Sequence, residues 1–464
     1  MRAPRVALVL ILLAAGFGIS RLVPAASRSP TPQQGRPNLL FILTDDQRFD
    51  TLSVMRATRA DFDVVFENGF VTTPLCCPSR SSILTGRYAS HTGVHGNRDY
   101  PRFVPQEAES IGPWLDAMGY YTGFVGKYLN RVPVDKPAPP GWDEFYGLVY
   151  DLEGEDGPHG PILRERWMDG DTERQQVVHE PRGTEYTALW TREALRFLHR
   201  AADPTVNPDG APWALFVWTN APHQPDPDAR YRDGPVPGWT PPPSFLEADR
   251  SDKPLEVRAG PGRIGDAEVH REVREDQLRQ LLSVDDLVAR LFAYLDGAGL
   301  RERTWGIFSS DNGVFWGEHL LSRKLYAYEE AIRVPLRMAV PGSGPRRIDP
   351  IVANVDLAPT LLELAGDRTD HGMDGRSLVG LATGRDPRPV REALLIENWA
   401  NVYWEGVRTP QWKYVHWIAT GAEELYDLRA DPYELENLAA SRHGIVKGLR
   451  SKLRRLRQSS PGVG

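Results

Sequence analysis

The chain has 464 residues, a formal net charge of -7, 41% hydrophobic and 25% charged residues. Such a length buries a large core and accommodates one big domain with a smaller one beside it. The composition is that of an ordinary globular protein, and the acidic balance excludes general nucleic-acid binding while leaving room for a local basic pocket.

In chain order, the first element is an export signal. Arg2 and Arg5 precede an apolar, small-residue run from Val6 to Ile19. That run is shorter than the roughly 20 residues needed to span a bilayer. Small residues around Val23–Ala26 offer a cleavage point. Residues 1–26 therefore read as a signal peptide and residues 27–36, rich in Ser, Pro and Gln, as a linker. The expectation is a secreted or periplasmic protein with no stable membrane insertion after cleavage. No N-x-S/T acceptor occurs anywhere in the chain, which favours a bacterial exported protein over a glycosylated one.

Four later segments share one design, an apolar strand running into polar residues. Asn38–Leu43 leads into Thr44-Asp45-Asp46-Gln47, and Tyr121–Val125 into Gly126-Lys127. Trp213–Trp218 leads to Asn220-Ala221-Pro222-His223, and Trp305–Phe308 into Ser309-Ser310-Asp311-Asn312-Gly313. Near-continuous apolar strands predict a sheet buried on both faces. Ligands of such α/β sheets sit at the carboxyl ends of the strands, so the four clusters are expected to converge. Asp45, Asp46, Asp311 and Asn312 offer only oxygen ligands, a set suited to a hard divalent cation, calcium or magnesium. Adjacent aspartates repel unless a cation neutralises them.

Cys76 and Cys77 are the only two cysteines, and they are neighbours. Adjacent cysteines make poor disulfide partners, and two thiols cannot close a structural zinc site. A chemical role is the remaining reading. Pro78 reads as a helix-start residue, Ser79 as a capping donor and Gly86 as a stop. A helix starting there aims backbone N–H groups at an anion.

Segments 151–182 and 225–262 lack clear periodicity and read as loops near a substrate. Ser283 reads as the cap of a helix whose Leu287, Leu291 and Leu295 form one stripe. Asp356–Gly366 reads as another helix, closed by Gly366. Beyond residue 366 the texture changes. Val407–Thr409, Lys413–Trp417 and Glu424–Leu428 read as antiparallel strands, Asp431–Glu434 as a turn, and a basic helix begins near His443. The tryptophans between Trp399 and Trp417 read mostly as core.

The run Cys76-Cys77-Pro78-Ser79-Arg80-Ser81-Ser82-Ile83-Leu84-Thr85-Gly86-Arg87 resembles the C-x-P-S-R-x-x-x-L-T-G-R signature of type I sulfatases. The resemblance covers roughly residues 37 to 440. It implies an alkaline-phosphatase-like α/β fold, with a large mixed, mostly parallel sheet flanked by helices. The catalytic domain is then residues 37–366, followed over 367–464 by a smaller C-terminal domain with an antiparallel sheet and a helix. It implies that Cys76 is oxidised to formylglycine by a formylglycine-generating enzyme during maturation. Asp45, Asp46, Asp311 and Asn312 are implied as metal ligands, with position 76 beside them and calcium the usual ion. Formylglycine hydrates to a geminal diol, one hydroxyl attacks sulfur, and the other lets the intermediate collapse to free sulfate. Arg80 is implied to hold that group, and Lys127 and Lys324 to clamp the sulfate oxygens, with Arg323 a rival to Lys324. His223 is implied as general acid for the leaving alcohol. Many sulfatases carry a histidine two residues after the first lysine; here Leu129 stands there. His95 or His319 is a candidate to contribute in its place. Gly126–Asn130, the paired cysteines and Leu281–Val288 are most similar to the N-acetylglucosamine-6-sulfatase and heparan 6-O-endosulfatase branch. The expected partner is a sulfated carbohydrate. A long basic insertion, as for an extended polyanion, is not evident. Two alternatives stand beside this reading. One is a formylglycine-dependent phosphonate or phosphate ester hydrolase, and the other is a non-catalytic glycan-binding protein.

Overall fold

The computed structural model describes residues 35–151, 161–169, 172–223 and 227–458. The signal peptide expected over residues 1–26, and most of the linker after it, lie outside the described residues.

The apolar runs form the middle of a ten-stranded sheet. Its strands are β1 (Asn38–Thr44), β2 (Val64–Phe66), β3 (Tyr121–Gly126), β4 (Glu144–Val149), β5 (Ile162–Asp169), β6 (Thr172–His179), β7 (Trp213–Trp218), β8 (Thr304–Ser310), β9 (Leu336–Ala339) and β10 (Arg346–Ile348). Their spatial order is β10-β2-β9-β8-β1-β7-β3-β4-β5-β6. The central strands β8, β1, β7, β3 and β4 run parallel. Strands β9, β5 and β6 join antiparallel, so the sheet is mixed and mostly parallel at its heart. On β1 the alternation of side chains decides which core each residue enters. Leu39, Phe41 and Leu43 enter one face, with Ile83, Leu84, Trp114 and Leu361. Leu40 and Ile42 enter the other, with Trp190, Phe197, Leu287 and Leu291. Each such fully buried side chain contributes about 1.5–3 kcal/mol.

Five longer helices cover these faces and the second sheet: α1 (Cys76–Thr85), α2 (Tyr186–Ala201), α3 (Ala267–Gly297), α4 (Leu357–Ala365) and α5 (His443–Gln458). Helix α4 ends, as its sequence predicts, at Gly366 in the left-handed region (φ 82°). Three local readings are corrected. Helix α1 starts at Cys76 behind Leu75 with no side-chain cap; Ser79 is internal, and its Oγ accepts instead from Asn354 Nδ2 (2.9 Å). Ser283 lies mid-helix, because α3 begins at Ala267 behind its N-cap Asp266, whose carboxylate accepts from the Glu268 and Val269 amides. The segment read as loop over 151–182 contains the β5–β6 hairpin, paired from Ile162↔His179 to Asp169↔Thr172.

The second sheet has four antiparallel strands, β11 (Leu394–Asn398), β12 (Trp404–Arg408), β13 (Trp412–Trp417) and β14 (Glu423–Asp427), in that order. Trp404 and Trp417 are core, as expected, and α5 lays Val446, Leu449 and Leu453 on the same cluster. This sheet braces the first. Arg408 and Lys413 both pair with buried Glu329 (2.9 and 3.3 Å). The Glu329–Ile332 turn is next to the end of β8, where the Gly313 N–H donates to the Ala331 carbonyl (2.9 Å).

One glycine is required where β3 ends. Gly126 has φ +112°, and a Cβ there would lie 1.9 Å from the Trp218 carbonyl oxygen. That close approach lets the Lys127 N–H donate to the same carbonyl (2.8 Å). Gly126→Ala should therefore lose at least about 2 kcal/mol, read as a lower urea midpoint at unchanged slope. An unchanged midpoint would show that the strand end can shift to make room.

Candidate active site

The four strand ends and the start of α1 meet at one buried point. Thr44 closes β1, and the Asp45 N–H donates to the Ala221 carbonyl beyond β7 (3.0 Å). Asp46 turns through the left-handed region (φ 65°), which a short polar residue tolerates. Its N–H donates to Asp311 Oδ1 (3.2 Å) at the end of β8. Cys76, 1% exposed at the first position of α1, lies with its Sγ 3.4 Å from Asp45 Oδ1. Ligand atoms of Asp45, Asp46, Cys76 and Asp311 all lie within 4.8 Å of one another.

Three cations answer the three carboxylates. Arg80, one turn after Cys76 on α1, donates from Nε to Asp311 Oδ2 (2.7 Å) and lies 3.3 Å from Asp45 Oδ2. It also donates to the Lys127 carbonyl. Lys127 Nζ donates to Asp45 Oδ2. Lys324 Nζ donates to Asp46 Oδ1 and, at 2.9 Å, to Cys76 Sγ. Its neighbour Arg323 is exposed, so Lys324 and not Arg323 enters the group. His223 is 53% exposed on its side chain, with Nε2 3.6 Å from Asp46 Oδ2.

These contacts set the protonation states. Burial opposes ionisation of Asp45, but Lys127, His223, Arg80 and Lys324 override it and hold its carboxyl well below the usual range. Burial, then Asp45, pushes Asp311 up, against Arg80 and both lysines. Burial alone would lower Lys127; Asp45 reverses this and keeps it charged. Burial and Asp45 push the Cys76 thiol up to about 12. An unmodified thiol here is neutral, the opposite of a reactive thiolate.

The residues fit a hard cation. The donors are carboxylates and one amide, and Asn312 Oδ1 is a buried acceptor without a hydrogen-bond partner. Asn312 is held in place because its Nδ2 donates to Asp46 Oδ1 and, at 2.9 Å, to the Gly313 carbonyl.

Two candidates lie elsewhere. His319 is buried, with Nδ1 2.8 Å from Glu247 Oε2 and its ring stacked on Tyr328; burial and nearby Lys253 lower it to about 3. His95 has no described contact with the acidic group. Its N–H donates to Asp99 Oδ2 (2.9 Å) and its ring lies 5.9 Å from that of Trp399. Sequence reasoning missed two supporting residues. Asn97 Oδ1 accepts from the Cys77 N–H (3.0 Å), fixing the start of α1. The Trp218 ring lies 5.5 Å from the Arg80 guanidinium, a cation–π contact that carries no sequence signal.

The profile of the family described as Sulfatase matches residues 37–367. The chain belongs to the sulfatase family. A second profile, described as N-sulphoglucosamine sulphohydrolase, C-terminal, matches residues 317–459. An extracellular sulfatase SULF-1 homologue of Drosophila melanogaster is 30% identical over 401 residues, covering 81% of this chain and 33% of that protein. The chain thus spans about half or less of the first curated relatives it matches. The N-acetylglucosamine-6-sulfatase of Homo sapiens is 28% identical over 440 residues, covering 84% of this chain and 71% of that one. Among solved structures, BT4656 in complex with its substrate D-glucosamine-2-N,6-O-disulfate superposes with a TM-score of 0.73 at 23% identity, covering 92% and 99% of the two chains. That likeness speaks for the shared sulfatase fold. Among the described residues, no helix is long and apolar enough to cross a membrane.

A cation taken by this group should stabilise the fold. At a hundredfold excess over its Kd, calcium should add about 2.7 kcal/mol, seen as a raised melting temperature that a chelator reverses. Asn312→Ala should weaken that response, and a melting curve indifferent to both calcium and magnesium would rule out a metal cradle here.

Proposed function

We propose that the chain hydrolyses sulfate monoesters of a sulfated sugar, of the N-acetylglucosamine 6-sulfate type. The nucleophile is carried at position 76, after oxidation of Cys76 to formylglycine. The observation that carries this reading is Cys76 Sγ at the start of α1, in reach of both Asp45 and Lys324 within one buried acidic group. The human and Drosophila relatives, named for 6-sulfated glucosamine and for extracellular action, support the substrate class and an exported location. Residues 37–366 would carry the chemistry, and residues 367–464 the C-terminal subdomain that braces it.

A sulfate ester resists attack because its oxygens repel an anionic nucleophile, so the site must supply positive charge. Calcium, or magnesium, held by Asp45, Asp46, Asp311 and Asn312 beside position 76, would supply part of it and polarise the nucleophile. Formylglycine at position 76, once hydrated by one water, would offer one hydroxyl to attack sulfur and a second whose deprotonation would let sulfate leave and restore the aldehyde. The protein's own side chains do the rest. Lys127 and Lys324, kept charged by Asp45 and Asp46, hold the sulfate oxygens in line. Arg80, locked between Asp311 and Asp45, fixes the carboxylates and cannot swing away. His223, at the exposed edge, donates a proton to the departing sugar oxygen.

Peptide mass at position 76 and sulfate release from 6-sulfated glucosamine test this together. An aldehyde in place of the thiol, with release from 6-sulfated but not from phosphonate esters, is the expected result. An unmodified thiol with glycan binding but no turnover would make the protein a binder, and faster phosphonate cleavage would make it a phosphonate hydrolase.

His223→Ala should slow sugar sulfate hydrolysis by about 10²–10⁴-fold. An aryl sulfate, whose leaving group needs no proton, should be affected far less. Equal losses on both substrates would remove His223 from the role of general acid.

A further inference from the structure

At the far end of α1 from Cys76 lies a cavity of about 690 Å³, between the loop after that helix and the C-terminal helix α5. Ten residues at 1.5 Å each put about 15 Å between the two ends of α1, so this is a separate place from the Cys76 centre. Four cations line it, Arg376, Arg391, Lys452 and Arg455, beside the largely buried Tyr88. Arg391 is already committed, with Nη1 2.5 Å from Asp356 Oδ2. Of the carboxylates there, Asp374 is committed and Glu392 forms only a long, exposed ion pair with Lys452. Asp374 accepts from the Tyr88 N–H (2.8 Å) and contacts His91 Nδ1 (2.7 Å). Glu392 is exposed and 3.9 Å from Lys452. The Arg376 backbone N–H donates to Asp356 Oδ1 (2.9 Å), but among the described contacts neither the Arg376 nor the Arg455 guanidinium has a carboxylate partner. The charge continues along α5. Seven Lys and Arg lie between Asn437 and Gln458 with no Asp or Glu, in a chain whose net charge is -7. Arg450 and Arg457 are paired, with Glu423 and Glu405. The apolar stripe of α5 is buried, so its cationic side is the side that faces outward.

We propose that this cleft and the cationic side of α5 form a second binding site for a sulfated polysaccharide, gripping sulfate groups that are not being cleaved. The proposal rests on the sulfatase reading of the Cys76 centre and adds that the substrate is a polyanionic chain. Guanidinium forks match sulfate oxygens, and clustered uncompensated cations raise the local concentration of such a chain.

The test uses the full chain, immobilised heparin as probe, and two triple variants of equal charge loss. One removes the cleft cations (Arg376→Ser, Lys452→Ser, Arg455→Ser). The control removes exposed cations elsewhere (Arg174→Ser, Arg290→Ser, Arg303→Ser). The cleft variant should elute from heparin at lower salt than wild type. Its KM for a polymeric substrate should rise about tenfold at unchanged kcat, with aryl sulfate turnover intact. The control should behave as wild type. Equal shifts in both variants, no retention of wild type, or equal retention on duplex DNA would each overturn the proposal. If wild type turns over no sulfate ester yet its heparin retention maps to the cleft, the catalytic reading fails and the binding site stands.

Discussion

Asp45, Asp46 and Asp311 are buried against Arg80, Lys127 and Lys324, and the architecture of this protein follows from keeping those six charges together. An unpaired ion in a dry interior costs several kcal/mol, and removing one partner of a buried pair leaves the other stranded. Arg80 is the hinge of the arrangement, because it touches carboxylates from two different strands and the carbonyl of a third. None of these groups can leave without exposing another. The parallel strands have to end at the same level, and α1 has to begin there.

The surroundings serve that constraint. The β1 backbone places Asp45 and Asp46 by hydrogen bonding between β7 and β8. Gly126 lets β3 pass close enough to Trp218 to deliver Lys127. The second sheet contributes from a distance. Its Arg408 and Lys413 pin Glu329, and the turn that Glu329 opens supports the chain just after Asn312. The C-terminal part is thus mechanically continuous with the carboxylate group, although it supplies none of it.

Much of this was legible in the sequence, for a physical reason. A strand buried on both faces must be apolar throughout, so an abrupt change to Asp-Asp or Asp-Asn marks both its end and its chemistry. The same logic failed where burial is slight. Strands β5 and β6 carry Arg, Glu and Gln on partly or fully exposed positions, which leaves little alternation to detect. The first turns of α3 are charged and mostly exposed, so only the apolar stripe after Ser283 looked helical. Histidines were the weakest signal. One imidazole carries no spacing: the apolar strand before it singles out His223, but nothing in the sequence shows that His319 is locked against Glu247 and Tyr328. The choice between Arg323 and Lys324 likewise needed burial, which adjacent residues do not announce.

The depth of Cys76 has a consequence for biogenesis. Its sulfur is buried at the first position of α1, contacted by a lysine and an aspartate, with its peptide group already part of the first helical turn. At 1% exposure the folded chain offers this thiol little access to a second protein's active site. An enzyme that oxidised this thiol would most readily meet it before the sheet closes. If oxidation at position 76 makes the nucleophile, as proposed, molecules that fold first would be trapped as thiols, and a preparation native by every structural measure could still contain an inactive fraction.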